Sequence, residues 1–137
     1  MVLKVDPLKP EQSLIRKACQ VLLDGFVVAF PTETVYGLGA IATNEEAVRK
    51  IFHLKGRPTD NPLIVHVSDL SQVYDLVTEV PEKARKVMEV FWPGPLSVIL
   101  QAKESVPLVT RGGLESVAIR MPAHPVALSL IRCAGPI

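Results

Sequence analysis

HLKGRPTDNPLIVHV, residues 53 to 67, joins the end of a helical pattern to an apolar strand through a loop braced by Pro58 and Pro62. A glycine can end a helix in the left-handed conformation, and one cation near the last carbonyls answers the helix dipole. Lys55 and Gly56 meet that need. Arg57 goes beyond it, because a second cation stands past the glycine, on a stiff loop that leads into a strand. Cations fixed in this way suit an anion, phosphate or carboxylate. The plainer alternative is a pair of solvated charges at a helix end. The run Leu63–Val67 carries one imidazole, His66, which is either a satisfied core histidine or a ligand contact. Asn61, before Pro62, is a turn residue or a polar contact of the same loop.

Outward from this stretch the chain punctuates itself. Leu14, Ala18, Val21 and Leu22 set a helix face between Pro10 and Asp24, closed by Gly25. Phe26–Phe30 reads as a buried strand ended by Pro31. Thr43 and Glu46 suggest a capping box for a helix that reaches Leu54. After the strand Leu63–Val67, Ser68 or Asp69 caps a short helix ending near Val77. Pro81 is placed as the first residue of a helix that runs to Phe91. The turn Trp92-Pro93-Gly94-Pro95 precedes a strand, Leu96–Gln101, and Val117–Met121 is another. Pro125 opens a last helix, to Ala134, which Gly135 ends. Most strands are apolar at successive positions, which predicts an α/β fold whose sheet is covered on both faces. The connection between the last two strands has no helical pattern, so the sheet is expected to be mixed.

Composition agrees with one globular domain over residues 1–137. A chain of this length buries roughly two thirds of its unfolded surface. The hydrophobic share of 48% and charged share of 21% exclude a disordered chain. A net charge of +1 excludes a wholly basic nucleic-acid coat, though not a local basic groove. Cys19 and Cys133 lie in apolar helical patterns and read as small buried hydrophobes rather than as a disulfide or reactive thiols. MVLKVDPLKP lacks the apolar core of a signal peptide, and no apolar run has membrane-spanning length, so no membrane is expected and the cytoplasm is the expected location.

Two further stretches carry polar groups that folding does not demand. Phe30–Gly39, FPTETVYGLG, sets Thr32, Glu33, Thr34 and Tyr36 among two glycines after a strand. Hydroxyls and close-lying backbone amides suit a polar ligand; an ordinary turn is the alternative. Arg120 interrupts the apolar strand VAIRM. A buried arginine needs an anion, either Glu33 or Glu115 as a structural pair, or a ligand carboxylate. Arg111, before Gly112-Gly113, is a weaker phosphate-loop candidate. There is no P-loop sequence, no dinucleotide glycine fingerprint, no nucleophile elbow, and no CxxC or histidine spacing for a metal. Chemistry here would rest on positioning and charge.

FPTETVYGLG, KGRPTDNPLIVHV, FWPGPLSVIL and SVAIRMPAHPVA, in that order, strongly resemble the YrdC family of L-threonylcarbamoyladenylate synthases. The resemblance covers nearly the whole chain from about residue 10. It implies a YrdC-like twisted mixed sheet with flanking helices and a cationic concave cavity. It implies a nucleotidyltransferase that forms threonylcarbamoyl-AMP and pyrophosphate from L-threonine, bicarbonate and ATP, for N6-threonylcarbamoyladenosine in tRNA. Lys55 and Arg57 would act catalytically on the ATP phosphates. Asn61 and Ser116 would also touch the nucleotide. Thr32, Thr34, Tyr36, His66 and Arg120 would bind threonine, with Arg120 on its carboxylate. Mg²⁺ would arrive with the phosphates, and no protein metal site is expected.

The family continues with a strand and a Ser-x-Asn signature. Gly135-Pro136-Ile137 looks like the start of that strand, so the domain is expected to be incomplete at its C-terminal end, and this chain inactive alone. Partners implied are tRNA and downstream threonylcarbamoyl-transferase proteins. Two alternatives share the fold. One is a double-stranded RNA or tRNA binder working through its cations, which a salt-sensitive RNA shift abolished in Lys55→Ala/Arg57→Ala would favour. The other is a carbamoyl-transfer domain of hydrogenase maturation, normally embedded in a longer chain with zinc fingers.

Overall fold

Residues 1–137 are all described in the computed structural model. Helix α1 (Gln12–Leu23) buries Ile15, Cys19 and Leu22. Of the stripe expected from sequence, Leu22 is buried and Ala18 packs beside it, while Ile15 and Cys19 join them and Val21 is left exposed. Strand β1 (Val28–Pro31) starts later than predicted; Phe26 stays outside, with the Lys50 ammonium 4.5 Å from its ring centre. β1 pairs antiparallel with β2 (Tyr36–Gly39), so the stretch read as a polar loop is a hairpin. Phe30 lies opposite Gly37, and its ring fills the space that a side chain at Gly37 or Gly39 would take. The two glycines therefore make room for a core phenylalanine.

Helix α2 (Glu45–Lys55) is capped by Asn44, whose side-chain oxygen accepts from the Ala47 N–H at 3.1 Å. Asn44 thus replaces the Thr43 capping box expected from sequence, and Glu45 and Glu46 stand in the positive first turn. Strand β3 (Ile64–His66) is followed by α3 (Leu70–Leu76), capped by Asp69, and α4 (Glu82–Phe91), where Pro81 sits at the cap position just before the helix. Strands β4 (Val98–Gln101) and β5 (Ser116–Arg120) lead to α5 (Pro125–Ala134).

The mixed α/β character holds, but the strands form two small sheets. β1 and β2 make one; the other has the order β3-β5-β4, with β3 parallel and β4 antiparallel to β5. Ile137 touches both. Its backbone exchanges two hydrogen bonds with His66, at 2.7 and 3.2 Å, while its side chain packs with Phe30 and Leu22.

One face of the larger sheet is covered. Val65, Val117, Ile119 and Leu100 pack there against Val73, Leu76, Met88 and Trp92. The opposite face is not covered as expected, because the row Ile64, Ala118 and Ile99 leaves Ile64 44% and Ile99 68% exposed. His66, Ser116 and Arg120 share that second face by strand alternation.

The cysteines correct the sequence reading. Cys19 is buried, but it is bonded to Cys133, stapling α1 to α5. No helix is long and apolar enough to cross a membrane.

Candidate functional site

Helix α2 ends on Lys55. Gly56 takes φ 64° and hands the chain to Arg57, whose N–H returns to the Phe52 carbonyl at 3.0 Å. This turn aims both cations out of the helix end. Both are exposed, and neither joins any of the ion pairs of the chain. A cavity of about 210 Å³ takes Lys55, Arg57 and His66 into its wall, together with Pro62, Thr110 and Ile137. The structure thus brings Lys55, Arg57 and His66 to one cavity.

His66 Nδ1 lies 3.0 Å from the Ile64 carbonyl oxygen. A carbonyl only accepts, so Nδ1 carries the proton and Nε2 is left as an acceptor. Burial lowers the His66 pKa from its ordinary 6.5. The Ile64 carbonyl pulls the other way, the Arg120 charge adds to the lowering, and Glu33 opposes it. The ring is therefore neutral near pH 7. Phe30 meets it edge to face at 5.6 Å.

Arg120 is His66's register partner on β5. Its Nε donates to the Gly94 carbonyl at 3.1 Å, and Nη2 pairs with Glu33 Oε1. Of the anions open to it from sequence, the structure supplies Glu33. The other Glu33 oxygen accepts from the Ala123 N–H at 2.7 Å. Burial pushes the Glu33 pKa up, but the N–H groups of Ala123 and of Glu33 itself, with the Arg120 cation, outweigh it and hold the carboxyl below its ordinary value. Arg120 Nη1 has no partner within the chain and is not sealed from solvent.

The hairpin places the hydroxyl residues around this pair. Thr32 Oγ1 serves the turn itself: it meets Thr34 Oγ1 at 3.1 Å and accepts from the N–H groups of Thr34 and Val35 at 3.2 Å. Thr34 and Tyr36 are exposed, Tyr36 by 78%. Thr32, Thr34, Tyr36, Asn61, Ser116 and Arg120 stand outside the wall of the small cavity. A second, open groove of about 900 Å³ runs past the neighbours Asp60 and Glu115 of two of them. It carries Glu45, Asp60, Glu104 and Glu115 against Arg49 and Arg111, a poor setting for an anion.

Arg111, the weaker phosphate-loop candidate, lines the larger groove but spends two of its donors on backbone. It is 8% exposed, and its guanidinium turns inward to the carbonyls of Val106 and Leu114 at 2.9 and 2.8 Å. No cluster of three or more His, Cys, Asp or Glu side chains is placed to hold a metal ion. Glu33 was named from sequence only as one of two structural partners, and its dual hold on Arg120 and the start of α5 depends on contacts across 87 and 90 residues.

Lys55 and Arg57 at a helix end, the neutral His66 imidazole, and Arg120 beside it at the ends of the parallel strands β3 and β5 mark a mixed α/β protein. The chain matches the Sua5/YciO/YrdC family, described as "Telomere recombination", over residues 20–137, and it belongs to that family. The threonylcarbamoyl-AMP synthase of Bacillus subtilis (strain 168) is 56% identical over 132 residues, covering 95% of this chain and 38% of that relative. The crystal structure of P. abyssi Sua5 complexed with L-threonine superposes with a TM-score of 0.91 at 51% identity, over 93% of this chain and 38% of that one. E. coli YciO superposes with a TM-score of 0.85 at 26% identity, over 96% of this chain and 65% of that one. The chain thus spans little more than a third of the length of the first two.

Proposed function

We propose that the protein to which this chain belongs is an L-threonylcarbamoyladenylate synthase. The observation that carries this reading is the placement of Lys55 and Arg57, both without counter-ions, in one cavity with a neutral His66. Support comes from the relatives named threonylcarbamoyl-AMP synthase and from the Sua5 structure that holds L-threonine.

The reaction asks for charge management. The amine of threonine captures bicarbonate as a carbamate, releasing water. A carbamate oxygen then attacks the α-phosphorus of ATP, and the bond to pyrophosphate breaks. Both reactants are anions, so their approach needs cations already in place. Lys55 and Arg57 take the phosphates, with Asn61 and Ser116 along the nucleotide. Arg120 offers its free Nη1 to the threonine carboxylate. His66 presents Nε2 as an acceptor to the hydroxyl or ammonium group, and Thr32, Thr34 and Tyr36 form the rim of that pocket. Mg²⁺ travels with the phosphates in this reading. The product is consumed by threonylcarbamoyl-transferase proteins that modify tRNA.

A cytoplasmic setting belongs to the same reading. The Cys19–Cys133 bond pulls against it, because disulfides are rare in that compartment outside redox-active proteins and hyperthermophiles.

Calorimetry with ATP and with L-threonine, on the wild type and on Lys55→Ala/Arg57→Ala, tests the proposal. Removing a charge-assisted hydrogen bond to phosphate costs about 1.5–3 kcal/mol, and the double variant removes two such cations. Nucleotide binding therefore disappears from the measurable range while threonine binding persists. Undiminished ATP affinity in the double variant overturns the reading. A salt-sensitive RNA affinity that vanishes in its place selects the RNA-binding alternative.

A further inference from the structure

The connection between β4 and β5 reaches across to the cation-bearing loop. Its tightest approach is at Gly112, with φ 62°. A Cβ there would lie 2.7 Å from the Pro62 nitrogen and 2.9 Å from the Asp60 carbonyl oxygen, the groups on either side of Asn61. Such distances are too short for any side chain, and the obstruction is backbone and a proline ring, neither of which can swing away.

The approach is reinforced on both sides. The Leu63 N–H donates to the Thr110 carbonyl at 3.1 Å, and the buried Thr110 hydroxyl donates to the Ala42 carbonyl at 2.9 Å. Arg111, buried and with no carboxylate partner, uses its guanidinium to tie Val106 to Leu114 and so closes the turn that presents Gly112. Two of its donors are thereby spent on holding backbone.

We infer that Gly112 is a positioning residue for the loop Arg57–Pro62, and that Arg111 is the clamp that keeps Gly112 against it. The inference rests on the proposed nucleotide reading for its link to ATP, though its geometric part does not. Pro58 and Pro62 stiffen the loop, but stiffness alone does not place it. The Gly112 backbone sets how closely the loop lies to the β4–β5 turn, and so where Asn61 and the neighbouring Arg57 stand relative to His66. Displacement of reacting groups by about 1 Å can cost on the order of 10²-fold.

Gly113 is the internal control. It also has positive φ, at 81°, but a Cβ there meets nothing within 4 Å. Gly112→Ala and Gly113→Ala therefore share the backbone strain and differ in the collision. The expected result is a fall in melting temperature for both, larger in Gly112→Ala because of the collision, with ATP affinity weakened about 10- to 100-fold only in Gly112→Ala and threonine affinity kept in both. Amide chemical shifts of Arg57, Thr59, Asp60, Asn61 and Leu63 should move in Gly112→Ala and stay in Gly113→Ala. If Gly112→Ala does not fold, Arg111→Lys, which loses the fork to Val106 and Leu114, should weaken ATP binding and spare threonine. Equal ATP losses in the two glycine variants overturn the inference, as do unmoved loop amides in Gly112→Ala. In the full-length protein, a wild type that binds no ATP refutes the nucleotide reading alone, and the amide shifts then decide the positioning role.

Discussion

Replacing Arg120 by Met separates a structural from a ligand-binding arginine. The side chain is 10% exposed and that of Glu33 is 22% exposed. Removing one member of a fully buried pair costs about 3–5 kcal/mol, because the other charge is left without a partner. Glu33 keeps the Ala123 N–H and some water, so the cost falls to about 2–3 kcal/mol. At about 2.1 cal/mol/K per residue, 137 residues give an unfolding entropy near 0.29 kcal/mol/K, and Tm drops by about 7–10 °C. Adding Glu33→Gln should recover part of this, since the orphaned carboxylate is then gone, with a coupling of about 1–3 kcal/mol between the two sites. Threonine affinity is the second readout. Without the hydrogen bond from Nη1 to the ligand carboxylate, binding weakens by about 1.5–3 kcal/mol, or about 10- to 150-fold. Thermal unfolding by circular dichroism and calorimetry with L-threonine measure the two effects on the same samples. A Tm within about 2 °C of wild type refutes the energetic account of the pair. A large Tm loss with threonine affinity intact confines Arg120 to holding Glu33, the Gly94 carbonyl and the hairpin in place.

Stability should fall with acid in two stages. The folded His66 resists protonation, so the stability it adds is complete above its ordinary pKa of 6.5 and is lost as pH falls through its lowered folded value. The Glu33 contribution is complete above 4.5 and disappears as pH falls through its own depressed folded value. Urea unfolding across this range should show the upper stage flattened in His66→Phe and the lower one in Glu33→Gln; unchanged profiles count against both assignments. For the cysteine pair, Cys19→Ser/Cys133→Ser should lose about 2–4 kcal/mol, the typical worth of a native disulfide, here one that closes a loop across 114 positions. Thiol titration of unfolded, unreduced protein should find no free sulfhydryl, and finding two refutes the bond.

What the sequence disclosed was local in the chain. The helix end, the glycine and the two prolines around Lys55 and Arg57 are neighbours in sequence, and their geometry follows from their own backbone preferences. Strand β2 was missed because Tyr36–Gly39 is half glycine, and glycine weakens strand propensity. The available signal was Phe30, since a ring that must be buried needs small residues across from it, and Gly37 and Gly39 provide them. Glu33 and Glu115 were equal candidates for Arg120, because a charge pair 87 positions apart leaves no periodic trace. The Cys19–Cys133 bond was hidden for the same reason. Each cysteine fits its own helical pattern, and only the packing of α1 on α5 brings them together. The open face of the β3-β5-β4 sheet misled differently. Ile64 and Ile99 look like core residues by type, but no element of this chain lies over them.

The two groups of the proposed site also differ in how firmly they are held, and this bears on how the proposed reaction would be organised. Arg120 is restrained by the Gly94 carbonyl and by Glu33, which is itself restrained by Ala123; His66 is restrained by Ile64 and Ile137. Their side-chain entropy is already lost on folding, so threonine would meet a preformed set of donors and acceptors. Lys55 and Arg57 are held only by their backbone. Each retains up to about 2 kcal/mol of rotamer entropy that phosphate binding must overcome. The stiffened loop, backed by Gly112, reduces the part of that cost that lies in the main chain, and the multiple charges of a triphosphate can offset what remains. A monoanion could not do so as readily. Under the proposed reaction, a polyphosphate would suit the exposed cations and an amino acid the restrained arginine, rather than the reverse.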